Sequence, residues 1–401
     1  MIKRRRLDAS DGLRIAVDAT CWLNNRGYGR HARDLLGALV RIDTQNRYCF
    51  FVDSQEMLKS IPDGVESVLV PVGTSTALAA SADGNRSLQD IWRMSRALSR
   101  SDFDLVLFPS VYSYVPVLSR AHQIVFIHDV IAEKFPELTV PSLPRRLLWQ
   151  SKVRLALYQA GTIVTVSEYS KQGIVEVFKV NPNQVHVVGE APNPVFKRLG
   201  KPKLPTALNK EFPEASRSVV YIGGFGPHKN LSRLVETFAK IAAFPEFSDV
   251  YLILVGEYQK EVFHTTFAEL RQQIEMLGIQ RRVIFTGYLP DPDVVSLLNQ
   301  ASVLVLPSLM EGLGLPAIEA AACGCPVVAT KSSPLPELLG EGGVYINPLD
   351  SKEMEDALRL VLGSEEIRKK MRAAGLKATQ MLTWEGAAGD LRYLVEKADA
   401  G

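Results

Sequence analysis

No stretch of the 401-residue chain reaches the roughly 18 consecutive apolar residues that a membrane-crossing helix requires, so no spanning segment is expected. The stretch from Met1 to Gly12, with Lys3, Arg4, Arg5 and Arg6, lacks the apolar core of a signal peptide, and a cytosolic chain is the expectation. Cysteine is scarce. Cys21, Cys49, Cys323 and Cys325 are too few and too irregularly spaced for a disulfide framework or a four-ligand zinc site, and they read as reduced, mostly buried thiols. Charge of one sign is also missing: 46 Lys and Arg against 44 Asp and Glu leave a net charge of +2, which gives no whole-protein case for nucleic acid. Any anion site must be local.

What is present is an ordinary soluble composition, 46% hydrophobic and 22% charged, in a chain too long for one core to grow comfortably. Short β-branched runs recur between amphipathic stretches, the pattern of a parallel sheet covered by helices on both faces. In the first half they are Arg14 to Val17, Tyr48 to Val52, Ser67 to Val70, Leu105 to Phe108, Ile124 to Ile127, Ile163 to Val166 and Val185 to Val188. The second half repeats the pattern with Val219 to Ile222, Val250 to Val255, Val283 to Phe285, Val303 to Leu306, Val327 to Ala329 and Val344 to Ile346. Between the series, Ala191 to Ser216 carries five prolines, which remove ladder donors and suit an extended connector. The expectation is therefore an α/β protein of two doubly wound Rossmann-like domains facing a cleft: 1–195, 196–380, and a last helix within 381–401 crossing back to the first. Ligands of such sheets bind beyond the carboxyl ends of the strands, so the loops there are where chemistry is sought.

After Val303 to Leu306 comes Pro307-Ser308-Leu309-Met310-Glu311-Gly312-Leu313-Gly314-Leu315-Pro316-Ala317-Ile318-Glu319. The glycines permit close backbone approach, and Pro316 suits the first turn of a helix beginning near Leu315. The N–H groups of that turn make a seat for phosphate. Glu319, about 5 Å deeper, is placed to reach a ribose hydroxyl, while Glu311 points into the cleft. Taken alone, the two glutamates are better read as a solvated loop carboxylate, Glu311, and an acid favoured by the helix dipole, Glu319. A second glycine loop, Gly223-Gly224-Phe225-Gly226-Pro227-His228-Lys229-Asn230, precedes a helix that Asn230 is expected to cap. Lys229 there opposes the helix dipole, which suggests a diphosphate as its partner, although a surface lysine is the plainer alternative.

The stretch from Glu311 to Glu319 resembles the paired-glutamate motif of the family-four retaining glycosyltransferases of GT-B fold, the glycosyl transferases group 1. The resemblance implies that Glu311 holds hydroxyls of the donor sugar, that the amides of Gly312, Leu313, Gly314 and Leu315 meet the phosphates, and that Glu319 binds the ribose. It also implies diphosphate contact for Lys229, with His228 and Gly224 standing where many members carry arginine. Arg26-Gly27-Tyr28-Gly29-Arg30 is similar to the family's first glycine loop, which places Gly27 and Gly29 against diphosphate or sugar and lets Arg26 or Arg30 supply the missing charge. His128, ending an apolar run, is a single histidine of the usually structural kind, yet it resembles the family's donor-sugar ligand. Ser167 reads as a helix cap. Tyr288 and Leu289 are similar to the loop beside the nucleobase.

The resemblance thus implies a retaining transfer of a hexose, mannose or glucose type, from a nucleotide-diphosphate sugar to a hydroxyl acceptor on a glycan or glycolipid. The family's front-face displacement assigns catalysis to His128, Lys229 and Glu311, with no cofactor and no metal. The glycine loop near Gly27 is of a style shared with polysaccharide-assembly mannosyltransferases, which favours GDP-mannose over UDP-glucose. Two other classes remain open: a non-catalytic nucleotide-sugar-binding module or partner subunit, motivated by the absent arginines, and a sugar-nucleotide epimerase. The helix Ser142 to Ala160, with Arg145, Arg146, Lys152 and Arg154 among leucines, fits a peripheral membrane contact at the inner face, or an ordinary core-facing helix, which is the favoured reading.

Overall fold

The computed structural model describes residues 12–24, 27–73, 87–206, 208, 212–213, 216–258 and 265–399. The basic start of the chain and Arg26 lie outside them.

Two compact units are present. The first comprises the described residues up to Val130, Ser142–Glu190 and the helix Trp384–Asp399; the second comprises Ile131–Pro141 and Ala191–Thr383. The first unit is built on β1 (Arg14–Asp18), β2 (Arg47–Val52), β3 (Glu66–Leu69), β4 (Leu105–Phe108), β5 (His122–Phe126), β6 (Thr162–Thr165) and β7 (Val185–Val187). They form one sheet in the order β3-β2-β1-β4-β5-β6-β7. The second carries β8 (Arg217–Ile222), β9 (Val250–Val255), β10 (Val283–Gly287), β11 (Val303–Leu306), β12 (Val327–Thr330) and β13 (Gly343–Ile346), in the order β10-β9-β8-β11-β12-β13. Every pairing is parallel. β4 (LVLF), β11 (VLVL) and β12 (VVAT) are buried at every position, as strands covered on both faces must be, and that is why they read as continuous apolar runs.

The order of strands along each sheet reverses once, between β1 and β4 in the first unit and between β8 and β11 in the second, the strands themselves staying parallel. Loops leaving such a pair diverge to opposite faces and open a crevice at the strand ends. The helix Trp384–Asp399 lies against the helix Gly27–Ile42, its Ala388, Leu391 and Val395 buried, with Arg41 and Glu385 3.0 Å apart at the rim.

The helix Leu143–Gln159 corrects the favoured reading of that segment. Only Val153 and Ala156 are buried in it, whereas Leu143, Leu147, Leu148, Leu155 and Tyr158 face solvent, Leu148 at 71% and Tyr158 at 88% of their full exposure. Its apolar residues run around the helix instead of along one stripe, so no single face can bury them. All four cysteines are free and buried, and burial pushes the thiol of Cys49 up to about 12.

Candidate functional site

The reversal between β8 and β11 brings together two loops that are 82 positions apart in sequence. The Lys229 ammonium donates to Glu311 Oε1 at 2.7 Å, and Ser308 Oγ donates to the same oxygen at 2.6 Å. The Leu309 N–H donates to the His228 carbonyl at 2.9 Å. Asn230 ties the two loops further, its amide donating to the carbonyls of Pro307 at 3.0 Å and Pro348 at 2.7 Å. This corrects the expected cap: Asn230 sits at φ +60° with no side-chain capping bond, a left-handed position that asparagine tolerates better than most residues. Ser167, by contrast, does cap its helix, accepting from the Ser170 N–H at 3.0 Å.

Glu311 is a carboxylate taken almost wholly out of water. Burial alone would push its carboxyl up, but the Lys229 charge and hydrogen bond, with Ser308, hold it below the ordinary carboxylate range. It is thus ionised, and not the solvated loop acid of the plainer alternative. His228 behaves oppositely: burial and then the Lys229 charge push its imidazole down to about 4. At neutral pH it is therefore uncharged, and it does not replace an arginine as a fixed cation. Between the ordinary histidine value and about 4, the unfolded chain takes up a proton that the folded chain refuses, so stability falls as pH drops through that window, by about 3 kcal/mol. Replacing His228 by Asn is expected to flatten the urea-midpoint profile between about pH 6.5 and about pH 4 relative to wild type; parallel profiles would show that His228 is not the group refusing the proton.

The glycine turn follows directly. Gly314 has φ +89°, a left-handed conformation that favours glycine, and a Cβ there would also press on Leu335 Cδ1 at 2.8 Å. Among the described residues the amides of Leu313 and Gly314 have no hydrogen-bond partner within the chain. Leu315 opens the helix Leu315–Ala322 with Pro316 in its first turn, and Glu319, 3% exposed, lies one turn in. Gly312, Leu313, Gly314, Leu315 and Glu319 therefore occupy one strand-turn-helix beside the Lys229–Glu311 pair.

At the ends of β8, β9 and β10 three loops are joined by backbone. Gly223 N–H donates to Val255 O and Gly256 N–H to Gly287 O, both at 3.0 Å. Tyr288 and Leu289 follow Gly287, Tyr288 exposed and Leu289 buried.

In the first unit, Gly27 and Gly29 are the start of the helix Gly27–Ile42 and not a free loop. A Cβ on Gly29 would fall 2.1 Å from the Asn24 carbonyl, so this glycine serves the fold of the preceding turn, while Gly27 faces open space. His128 follows β5; the residue is half-buried, its ring nitrogens are enclosed, and burial together with His31 holds its imidazole well below the ordinary value. His31 Nδ1 lies 2.7 Å from Glu190 Oε1. Sequence reasoning missed Ser308, His31 and Glu190. The Ser308 spacing to Glu311 is a readable signal, whereas nothing local marks His31 and Glu190.

The profile described as "Glycosyl transferases group 1" matches residues 208–378, and that described as "Glycosyltransferase Family 4" matches residues 25–193. The chain is 31% identical over 329 residues to an MMP alpha-(1->4)-mannosyltransferase of Mycolicibacterium hassiacum, covering 77% of this chain and 74% of that one. It is 23% identical to the serotype-specific mannosyltransferase WbdA of Escherichia coli over 90% of this chain but only 45% of that longer protein. Among solved structures, a sucrose-phosphate synthase from Thermosynechococcus elongatus superimposes with a TM-score of 0.73 at 19% identity, covering 97% and 99% of the two chains. Anabaena HepE in complex with UDP-glucose does so with a TM-score of 0.72 at 17% identity, covering 96% of this chain and all of the other.

Proposed function

Because the chain belongs to the glycosyl transferases group 1, glycosyltransferase family four, with the GT-B fold, we propose that it moves a hexose with retention from a nucleotide-diphosphate sugar to a hydroxyl acceptor on a glycan or glycolipid. The observation that carries the donor assignment is the Lys229–Glu311–Ser308 cluster beside the amides of Leu313 and Gly314, unpartnered among the described residues. It offers a cation and N–H donors to phosphate oxygens next to a carboxylate able to accept from sugar hydroxyls.

In this reading Glu311, held ionised, accepts from hydroxyls of the hexose. Lys229 has three N–H donors, enough to keep its bond to Glu311 and still serve the diphosphate. Charge grows on the diphosphate as the glycosidic bond breaks, and Lys229 with the turn amides stabilises it while the departing oxygen takes the acceptor proton on the same face. Glu319 accepts from the ribose, Tyr288 and Leu289 line the base, Gly27 and Gly29 bring the start of the helix Gly27–Ile42 to the donor, and His128 binds the donor sugar. No divalent cation takes part. The mannosyltransferases among the relatives favour mannose, from GDP-mannose, over glucose.

The test is a thermal-shift screen against UDP, GDP, ADP and dTDP, with and without magnesium. One nucleotide is expected to raise the melting temperature independently of metal, and Glu319→Ala to weaken its binding about ten- to a hundredfold, because a buried hydroxyl loses its acceptor. Unchanged affinity in that variant would remove the ribose role. Binding without transfer to any acceptor would favour a non-catalytic nucleotide-sugar module, a reading to which the neutral His228 lends weight.

A peripheral membrane contact is part of the proposal. The exposed leucines of the helix Leu143–Gln159 stand with Arg145, Arg146 and Arg154 on a helix without a single acidic residue. The protein is expected to float with anionic but not neutral vesicles, and Leu147→Asp with Leu148→Asp to abolish flotation. Equal behaviour on both vesicle types would leave the helix as protein-facing surface.

A further inference from the structure

A second cluster lies inside the first unit. His31 on the helix Gly27–Ile42, His128 after β5 and Glu190 after β7 each bring one ligating atom within 4.8 Å of the others. The His31 side chain is fully buried and that of Glu190 is 7% exposed. The two imidazole rings meet edge to face with centroids 4.7 Å apart. Phe126 and Trp384 wall the cluster, their rings 5.3 and 5.8 Å from that of His31.

The hydrogen bonding of this cluster is incomplete. Among the described residues none of the four ring nitrogens of His31 and His128 makes a hydrogen bond, and the 2.7 Å approach of Glu190 to His31 Nδ1 is close in distance but poorly aligned for an N–H donor. No Lys or Arg pairs with Glu190 among the described residues. An unsatisfied buried polar group destabilises the fold, and such groups in a folded chain call for a partner. Two imidazoles and one carboxylate are the donor set that zinc-class ions take, with a solvent molecule completing a tetrahedron. Metal–ligand lengths of about 2.1 Å require donor separations of roughly 3.4 Å, so the three side chains need to close by little more than an ångström.

We propose that His31, His128 and Glu190 bind one divalent transition-metal ion of the zinc class. The ion satisfies the orphaned nitrogens and the buried carboxylate together. It is not a cofactor for transfer: it occupies His128, so its presence blocks donor-sugar binding. That last consequence rests on the assignment of His128 made above, whereas binding itself does not.

The experiment uses tag-free, chelator-stripped full-length protein titrated with cobalt(II), followed by its visible d–d absorption, with zinc retained after gel filtration measured by mass spectrometry. One equivalent per chain is expected, with zinc displacing cobalt. Cobalt should also quench the fluorescence of the adjacent Trp384, a signal lost in Trp384→Phe while uptake persists. His31→Phe should abolish uptake and Glu190→Gln weaken it at least tenfold. Failure of the wild type to take up a stoichiometric ion overturns the proposal, as does uptake unchanged in a folded His31→Phe. Should His31→Phe not fold, the Trp384 quenching comparison decides instead, and quenching unaltered by Trp384→Phe overturns it. Transfer activity is read separately: an enzyme that binds zinc here yet keeps its rate loses the His128 assignment, not the site.

Discussion

Replacing Lys229 by alanine is expected to lower kcat about a hundred- to a thousandfold while raising the nucleotide Kd far less, since its charge matters most where charge develops on the leaving diphosphate. Losses of equal size in both would mean that Lys229 binds the ground state only. The substitution also has a structural cost, because it leaves Glu311 buried beside Ser308 without its cation. Breaking such a pair costs about 3 kcal/mol, and the abandoned carboxyl rises toward protonation. The two effects are separable. The double variant Lys229→Met with Glu311→Gln removes both charges, and its stability is expected to return to near wild type while its kcat stays low. Recovery of activity along with stability would reduce Lys229 to a structural role.

Gly256→Ala is expected to be the most damaging small substitution in the second unit, at about 3–4 kcal/mol, or a fall in melting temperature on the order of ten degrees. A Cβ on Gly256 would stand 2.0 Å from the Gly223 carbonyl oxygen and 3.1 Å from Phe225 Cε2. The obstacle is backbone, which cannot swing aside as a side chain would. The loop from Gly223 to Asn230 must then move off the end of β9, carrying Lys229 away from Glu311. Nucleotide affinity should therefore fall with stability, although Gly256 touches no residue of the candidate site through a side chain. A variant of wild-type stability would mean that the loops can part at no cost.

The strands among the described residues were legible because parallel strands buried on both faces are apolar, β-branched-rich runs, and each expected run overlaps an observed strand. Their ends moved by a residue or two, as where β5 begins at His122 and not at Ile124. The glycine turn was legible for a similar reason: Gly314 and Pro316 declare a backbone that few other residues accept. The link between Lys229 and Glu311 was not, because it depends on β8 and β11 becoming neighbours, a matter of strand order that no local pattern encodes. The same holds for His31, His128 and Glu190, contributed by three separate elements. The helix Leu143–Gln159 misled in the other direction, since leucines at helical spacing look like core wherever they occur, and only the surrounding elements determine which of them find a partner.

The return of the helix Trp384–Asp399 to the first unit bears on how the protein is made. A ribosome delivers the first unit's seven strands early, but that unit cannot be completed until the whole second unit has been synthesised. At about 5–20 residues per second the wait is on the order of ten to forty seconds. Throughout it the side of the helix Gly27–Ile42 that meets the helix Trp384–Asp399 lacks that cover on the nascent chain. A segment translated after the second unit thus closes a unit begun before it, and a chain released between Ala191 and Thr383 leaves the helix Gly27–Ile42 without its cover.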